Sequence, residues 1–440
     1  MKRIEAARIL IDTIAQTMGD DFQPLINPDT QQPISNEAFA ALDSQALADI
    51  GKAVTSEATI TNLVNGLIAR LGKHEIEARG LDDFLPSINV DPQEWGGFME
   101  RTRVGLGEIL NDPMFAKTAG ESYAELEHTY FGQDVTSRIF EEGKPIMCPI
   151  SIEREMLKDA FLSWDKMDEY ISAKQTKIKA TLTLALMALK RGLVNCAIAR
   201  SDVTGTAIHL ITDAVADGVL TQIPVADDDP RNPTFKEALQ SPAWIAYCLE
   251  RIDDVMGYMR DPSIAFNDGS MPTWSNERPR LILLKKFVTR AKFGVKANTF
   301  NVDQIGIGDY DTINSWQAID DPDTSGASPV HAYYDIDTLS SISIKADATN
   351  QKIGQAGAYS QSGIIGLAFD RKALGLGLMR NKVTSSYTGS ADFWNMWHHA
   401  LYNAIFDPSY AMVAFIADQP MISIFIIIIN VLHHTSTKYY

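Results

Sequence analysis

The spacing of hydrophobic positions changes character several times along the chain. Ile4, Ile9, Leu10 and Ile14 recur at helical intervals, and beyond the cap-like Ser56 a second helical stripe runs through Ile60, Leu63, Val64, Leu67, Ile68 and Leu71. Between them, residues 22–35 are rich in Pro, Asn, Asp and Gln and read as an arm or linker. From 73 to 149 the pattern dissolves into short, weakly apolar pieces such as 85–90 and 104–110, broken by Gly96-Gly97, Asp112-Pro113, Gly132 and Gly143. A stretch of this length that cannot bury much apolar surface alone must lie across something else, its own body or a partner.

The strongest helical signal spans 165–194. Met167, Tyr170, Ile171, Ile178, Leu182, Ala185, Leu186, Leu189 and Leu193 follow three- and four-residue steps, with Lys174, Lys177 and Lys179 between them. At a rise of ~1.5 Å per residue this predicts a rod of roughly 45 Å, far beyond the ~11-residue average helix. A shorter helix over 153–161 leads into it. Such a rod suits an architectural beam better than a catalytic platform. Past Ala197 strands and helices are expected to alternate. Ser241-Pro242 supplies a cap and a first-turn proline, heading a buried face of Trp244, Ile245, Cys248, Leu249, Ile252, Val255, Met256 and Met259.

Residues 281–288 and 364–369 are expected as strands, 320–328 as a loop, and 382–417 as strand-like sequence with an aromatic cluster at Phe393, Trp394 and Trp397. Met421–Leu432, MISIFIIIINVL, is too short for a membrane span of ~20 residues and is cut off from 411–417 by Asp418, Gln419 and Pro420. Its isoleucines favour a strand that this chain or a neighbour must cover.

Composition narrows the function classes. The 440 residues carry 56 acidic and 39 basic side chains, a formal charge of −17, with 45% apolar and 22% charged residues, as in an ordinary globular protein. That balance argues against a protein whose main task is gripping phosphates, although a local basic patch stays open. Cys148, Cys196 and Cys248 are odd in number, widely spaced and without a Cys-x-x-Cys, so they read as small buried hydrophobes in a reducing compartment. The start, Met1-Lys2-Arg3-Ile4-Glu5, does not resemble a secretory signal.

Motifs that carry chemistry are thin. The Gly-x-Gly fragments at Gly105/Gly107, Gly306/Gly308 and Gly375/Gly377 lack the third glycine of a dinucleotide fingerprint. Gly51-Lys52 and Gly143-Lys144 lack the rest of a Walker loop, and no Gly-x-Ser-x-Gly elbow occurs. His398 and His399 are adjacent, so a strand sends them to opposite faces, and no His-x-x-x-His pair exists. Asp227-Asp228-Asp229 and Asp320-Asp321-x-Asp323 lack the calcium-loop pattern and read as solvated loops. The basic run Lys285 to Lys292, holding Lys286 and Arg290 and interleaved with Phe287 and Phe293, is explained more simply by a strand with one solvated face than by nucleic-acid binding. No catalytic, cofactor or metal residue is assigned, and an α/β enzyme with a site at the 306–311 or 375–377 turns stands as an alternative.

What remains is an order of parts: arm, extended excursion, beam-like helix, compact α/β region, strand-rich return. Together with Leu157-Lys158-Asp159-Ala160-Phe161-Leu162-Ser163-Trp164 ahead of the long helix, this order resembles the major capsid proteins of tailed bacteriophages, the Hong Kong 97 (Johnson) fold, and most of all their phi 29-like podophage group. Further likeness lies in 60–72, 105–113 and 403–417, and it runs from about Leu47 to Asp418, mostly as pattern. The resemblance implies an α+β chain with an N-terminal arm (1–55), a peripheral-domain helix (56–72), an extended β E-loop (73–150), a spine helix and peripheral domain (151–231), an axial domain (232–378), peripheral-domain return strands (379–418) and an apolar C-terminal tail (419–440).

It also implies a virion subunit, made in the host cytoplasm, that assembles with itself as pentamers and hexamers into an icosahedral or prolate shell. That shell would enclose double-stranded DNA without sequence-specific binding, with a scaffolding protein and a portal as partners and no cofactor or membrane. Chains of the phi 29 type continue into an immunoglobulin-like module, which is not expected here. An encapsulin-like shell protein without a virus is a second alternative. An E-loop can lack a core because it lies across the neighbour's spine helix, where its strands add edge pairing. Phe84, Leu85, Phe98, Leu106 and Ile109 are then inter-subunit contact candidates, with an intrachain core as their alternative, and Trp164 and Tyr170 join them from the long helix. Acidic residues facing inward would let packaged DNA slide.

Overall fold

The structure is a computed structural model and describes residues 14, 49–50, 64, 84–90, 99–104, 130, 132, 135–140, 143–224, 230–269, 271–298, 310–317, 335–344, 359–390 and 392–417. Ile14 and Val64 are helical and buried. The rest of the two N-terminal stripes, 105–113, the two aspartate clusters, Gly306/Gly308 and the run Met421–Leu432 lie outside the described residues.

Strands β1 (Met99–Val104) and β2 (Val135–Phe140) precede β3 (Gly143–Glu153), helix α1 (Arg154–Ala160) and the 40-residue helix α2 (Trp164–Val203). Next come β4 (Ile208–His209), α3 (Leu210–Ala216), α4 (Phe235–Ala238), α5 (Pro242–Tyr258), β5 (Arg280–Leu284), α6 (Lys285–Asn298) and β6 (Asp311–Ile313). The chain continues through α7 (Ile336–Leu339), β7 (Ile342–Ile344), β8 (Tyr359–Gln361), β9 (Ile364–Phe369), β10 (Leu374–Thr388), β11 (Phe393–Phe406) and β12 (Met412–Ile416).

A mixed five-stranded sheet, ordered β4-β12-β9-β5-β6, holds the main core. Helices cover it so fully that every residue of β9 and β12 is buried, which explains their unbroken apolar sequences. Gly366 on β9 is the close-approach point: a Cβ there would lie 2.7 Å from Leu283 Cδ2 and 2.9 Å from the Ile282 carbonyl oxygen. On α5, Ser241 Oγ accepts from the Trp244 amide and Pro242 opens the first turn, so the expected face forms. Trp244 packs edge-on to Phe235 and Phe287 at 6.0 and 6.3 Å, and its Nε1 donates to the Leu210 carbonyl.

The second sheet, β10-β11-β3, is antiparallel and long. Central β11 alternates, with Trp394, Met396, His398 and Ala400 buried and their neighbours partly exposed, so one face is covered and the two histidines part as expected. His399 Nε2 lies 2.9 Å from Thr384 Oγ1. Helices α1 and α2 pack along this sheet. β12 does not continue beside β11 but enters the five-stranded sheet between β4 and β9, and β10 runs from residue 374 to 388 with one register shift between Leu378 and Arg380.

Three expectations need correction. The long helix does not stop at Val194. Ala197, Ile198 and Ser201 keep the buried stripe going to Val203, where Gly205 at φ 74° turns the chain. The expected strand 281–288 is a strand only to Leu284. From Lys285 the buried positions become Phe287, Val288 and Ala291, a helical spacing, so the basic run lies on a helix. Gly375/Gly377 is not a turn but strand β10, crossed by the segment 84–90: the Val90 amide donates to the Leu376 carbonyl, and a Cβ on Gly375 would lie 2.5 Å from Val90 Cγ2. Cys148 and Cys248 are buried thiols and Cys196 is half-buried. Burial pushes the Cys248 thiol well above its ordinary pKa.

Candidate assembly surface

The β1–β2 hairpin belongs to neither large sheet. Its six paired positions run from Met99↔Phe140 to Val104↔Val135, and its two faces differ. Glu100, Thr102, Val104, Val135 and Ser137 are exposed, whereas Arg101, Arg103, Arg138 and Phe140 are partly covered. Arg101 and Arg138 face each other across the ladder, a like-charge pair that would oppose pairing by itself.

Asp407 resolves the conflict. Its carboxylate has no exposed surface within the fold; Arg138 Nη1 donates to it at 3.1 Å and Arg101 Nη1 lies 3.7 Å away. The other arm of Arg138 donates to Asp268 at 2.7 Å. The Ser409 amide and hydroxyl donate to the same Asp407 oxygen at 3.2 and 2.5 Å. Arg103 reaches the Ser409 carbonyl, and Arg101 donates to the Lys372 carbonyl. The Tyr410 ring carries Arg103, Lys372 and Arg101 at 5.1, 5.7 and 5.8 Å. The hairpin is therefore fastened to its own body by charge-assisted bonds, with its other face left open.

Helix α2 has two different halves. Leu193, Val194, Ala197 and Ile198 enter the main core. Toward the N-terminus the buried residues narrow to Met167, Ile171, Ile178 and Leu182, while Thr176, Ala180, Leu184, Ala188 and Gly192 are all exposed along one four-residue row. Leu184 is 67% exposed, and a Cβ on Gly192 would meet nothing within 4 Å. Part of this helix is long and apolar enough to cross a membrane by length and composition alone, but here it lies along β3 and β10–β12.

The sequence candidates scatter along this surface. Phe84 is half-buried beneath the Arg191 guanidinium at 5.1 Å. Leu85 is 2% exposed inside the chain's own core, so the intrachain alternative is the one found for it. Leu85 adopts φ 54° before Pro86, and buried Lys190 donates to the Phe84 and Leu85 carbonyls at 2.6 and 3.4 Å, pinning the crossing segment to α2. Tyr170 lies about 30 Å away along the helix from Lys190, with Lys174 Nζ 5.3 Å from its ring. Burial, reinforced by Glu153, raises the Tyr170 phenol above its usual range. Trp164 opens α2. Phe98, Leu106 and Ile109 lie outside the described residues. The motif around Trp164 has a local reason: Leu157, Ala160 and Phe161 are buried and Ser163 caps α2 by accepting from the Lys166 amide.

Sequence reasoning missed the arginine anchor and the exposed row. Arg101 and Arg103 stand two apart, as on one face of a strand, but nothing local connects them to Asp407 or Asp268.

Comparison with known proteins gives a family match. The model described as Phi29-like phage major capsid protein matches residues 11–416. Among solved structures, the chain is similar to the capsid structure of Staphylococcus phage Andhra at 12% identity, covering 77% of this chain and 88% of that one, with a TM-score of 0.41. The structure of the head fiber and inner core protein gp22 of native bacteriophage P68 matches at 8% identity, covering 75% and 83%, with a TM-score of 0.43. The capsid structure of Cyanophage P-SCSP1u matches at 11% identity, covering 78% and 91%, with a TM-score of 0.36. No curated protein matches.

Proposed function

The chain belongs to the Phi29-like phage major capsid protein family, and on that footing we propose how its copies meet: the β1–β2 hairpin acts as the E-loop, α2 as the spine helix, and the hairpin of one copy lies across the exposed row of α2 on the next. The protein is a structural, non-enzymatic subunit of a phage capsid. The observation that carries the contact is the fit between its two surfaces. Thr176, Ala180, Ala188 and Gly192 make a low track with Leu184 as its one large apolar side chain, and the hairpin's open face carries Val104 and Val135, 61% and 53% exposed, opposite each other. Burying these side chains would remove apolar area that a single chain leaves in water, at ~25 cal/mol per Å².

The family resemblance supports the wider setting. Pentamers and hexamers would close an icosahedral or prolate shell around double-stranded DNA without sequence-specific binding. A scaffolding protein and a portal would assist, and synthesis would take place in the host cytoplasm.

Leu184→Glu tests the contact. The change is expected to leave the circular dichroism spectrum and thermal midpoint of the isolated subunit unchanged, because Leu184 supports little of its own fold, and to abolish closed shells in negative stain. Shells of normal size from this variant would remove α2 from the contact. A wild-type chain that stays monomeric at all concentrations and salt conditions would instead count against the assembly arrangement as a whole.

A further inference from the structure

A cationic groove lies beside the first turns of α6 and, apart from Arg191 of α2, its cations stand on elements that the hairpin contact does not use. Two adjoining clefts share Lys286. One, of about 510 Å³, is lined by Lys285, Lys286 and Arg191 of α2; the other, of about 590 Å³, by Lys236 of α4, Lys286 and Arg290, with Asp335 and Asp337 also on its wall. Lys236, Lys285, Lys286 and Arg290 form no ion pair among the described residues. The acid next to Lys236 in sequence is already engaged: Glu237 accepts both arms of Arg231 at 2.8 and 2.9 Å and a bond from the Thr234 amide. Asp335 is occupied in capping α7.

In a chain with 56 acidic and 39 basic side chains, four cations from two helices thus gather with no ion pair among the described residues. Two of them stand in the first turn of α6, which has no acidic residue and where the helix end already carries positive potential. Such an arrangement is costly as mere architecture and favourable when an anion fills it. We propose that this groove binds phosphate groups, and that their source is the backbone of the DNA the shell encloses. The capsid assignment enters only in naming that source. The groove also makes a local exception to an acidic interior and orients the α4–α6 side of the subunit toward the DNA.

The test measures anisotropy of a short labelled duplex with the full-length chain before assembly, from about 50 to about 200 mM salt. Lys285→Ala/Lys286→Ala is expected to weaken binding and lower the slope of log K against log salt by about 2, one for each lost phosphate contact. Lys177→Ala/Lys179→Ala removes the same charge from the exposed face of α2 and is expected to change neither quantity. Equal effects from both double variants, or none from the first, would overturn the proposal. Alanine at 285 and 286 relieves the crowded helix end, so the thermal midpoint is expected to be no lower than in the wild type and unfolding cannot mimic lost binding.

Sodium triphosphate is expected to displace the duplex beyond what sodium chloride does at matched ionic strength. Triphosphate displacing no more duplex than chloride does at matched ionic strength would reduce the groove to general screening, and equal displacement by poly-glutamate would assign it to a carboxylate-bearing partner; either result overturns the proposal. Triphosphate binding without duplex binding would keep the phosphate site and rule out DNA as its source. The unassembled Leu184→Glu chain is expected to bind the duplex as the wild type does, so a failure here is distinguishable from a failure of the assembly contact.

Discussion

Two glycines show how the same residue serves opposite purposes in this chain. At Gly366 a side chain would meet the Ile282 carbonyl oxygen and Leu283 inside a sheet with no slack. Gly366→Ala is therefore expected to cost about 1–3 kcal/mol through overpacking, read as a lower urea midpoint with an unchanged m-value. Gly192 on α2 has open space around it and only the entropy penalty of a helical glycine. Gly192→Ala is expected to stabilise the isolated subunit by about 0.5–1 kcal/mol. An equal effect of the two substitutions in sign and size would contradict the packing described around β9. Neither role was legible in the sequence. Gly375 teaches the same lesson: it looked like part of a ligand turn, and it is small because Val90, carried by a distant segment, crosses over it.

Among the elements, those whose cause is local were readable. α5 announced itself through Ser241, Pro242 and a regular apolar face, β9 through five apolar residues around Gly366, and α1 through its place leading into the long helix. The break between β5 and α6 was hidden because Leu281–Val288 passes from one period to the other without glycine, proline or a capping residue. The hairpin anchor was hidden for a different reason: Arg138 and Asp407 are 269 positions apart, and no local pattern marks such a pair.

Its strength can be tested on the element itself. Arg138→Ala leaves the buried Asp407 facing Arg101 at 3.7 Å and removes the Arg138 bond to Asp268. Because Arg138 is 35% exposed, the expected cost is about 1–3 kcal/mol, below that of breaking a fully buried pair. Limited proteolysis is expected to cut the released hairpin within 99–140 before the main core opens. Cleavage at the wild-type rate would show that the ladder, and not the arginines, holds the hairpin.

For the whole molecule, the division of labour on α2 decides what assembly changes. Its C-terminal turns form one wall of a core that a single chain completes, whereas the 176–192 row and the hairpin's outer face leave apolar surface in water. Stability should follow the same division, with β9 and β12 opening only on global unfolding and the hairpin opening locally at lower cost. Hydrogen exchange on free subunits is therefore expected to be fast at 99–104 and 135–140 and slow at 364–369 and 412–416. In assembled shells the hairpin amides are expected to gain the most protection, those of 176–192 next, and the two core strands almost none, because their neighbours do not change. If the hairpin exchanges as fast in shells as in subunits, it is not laid across a neighbour. That result would remove the hairpin from the contact proposed for α2.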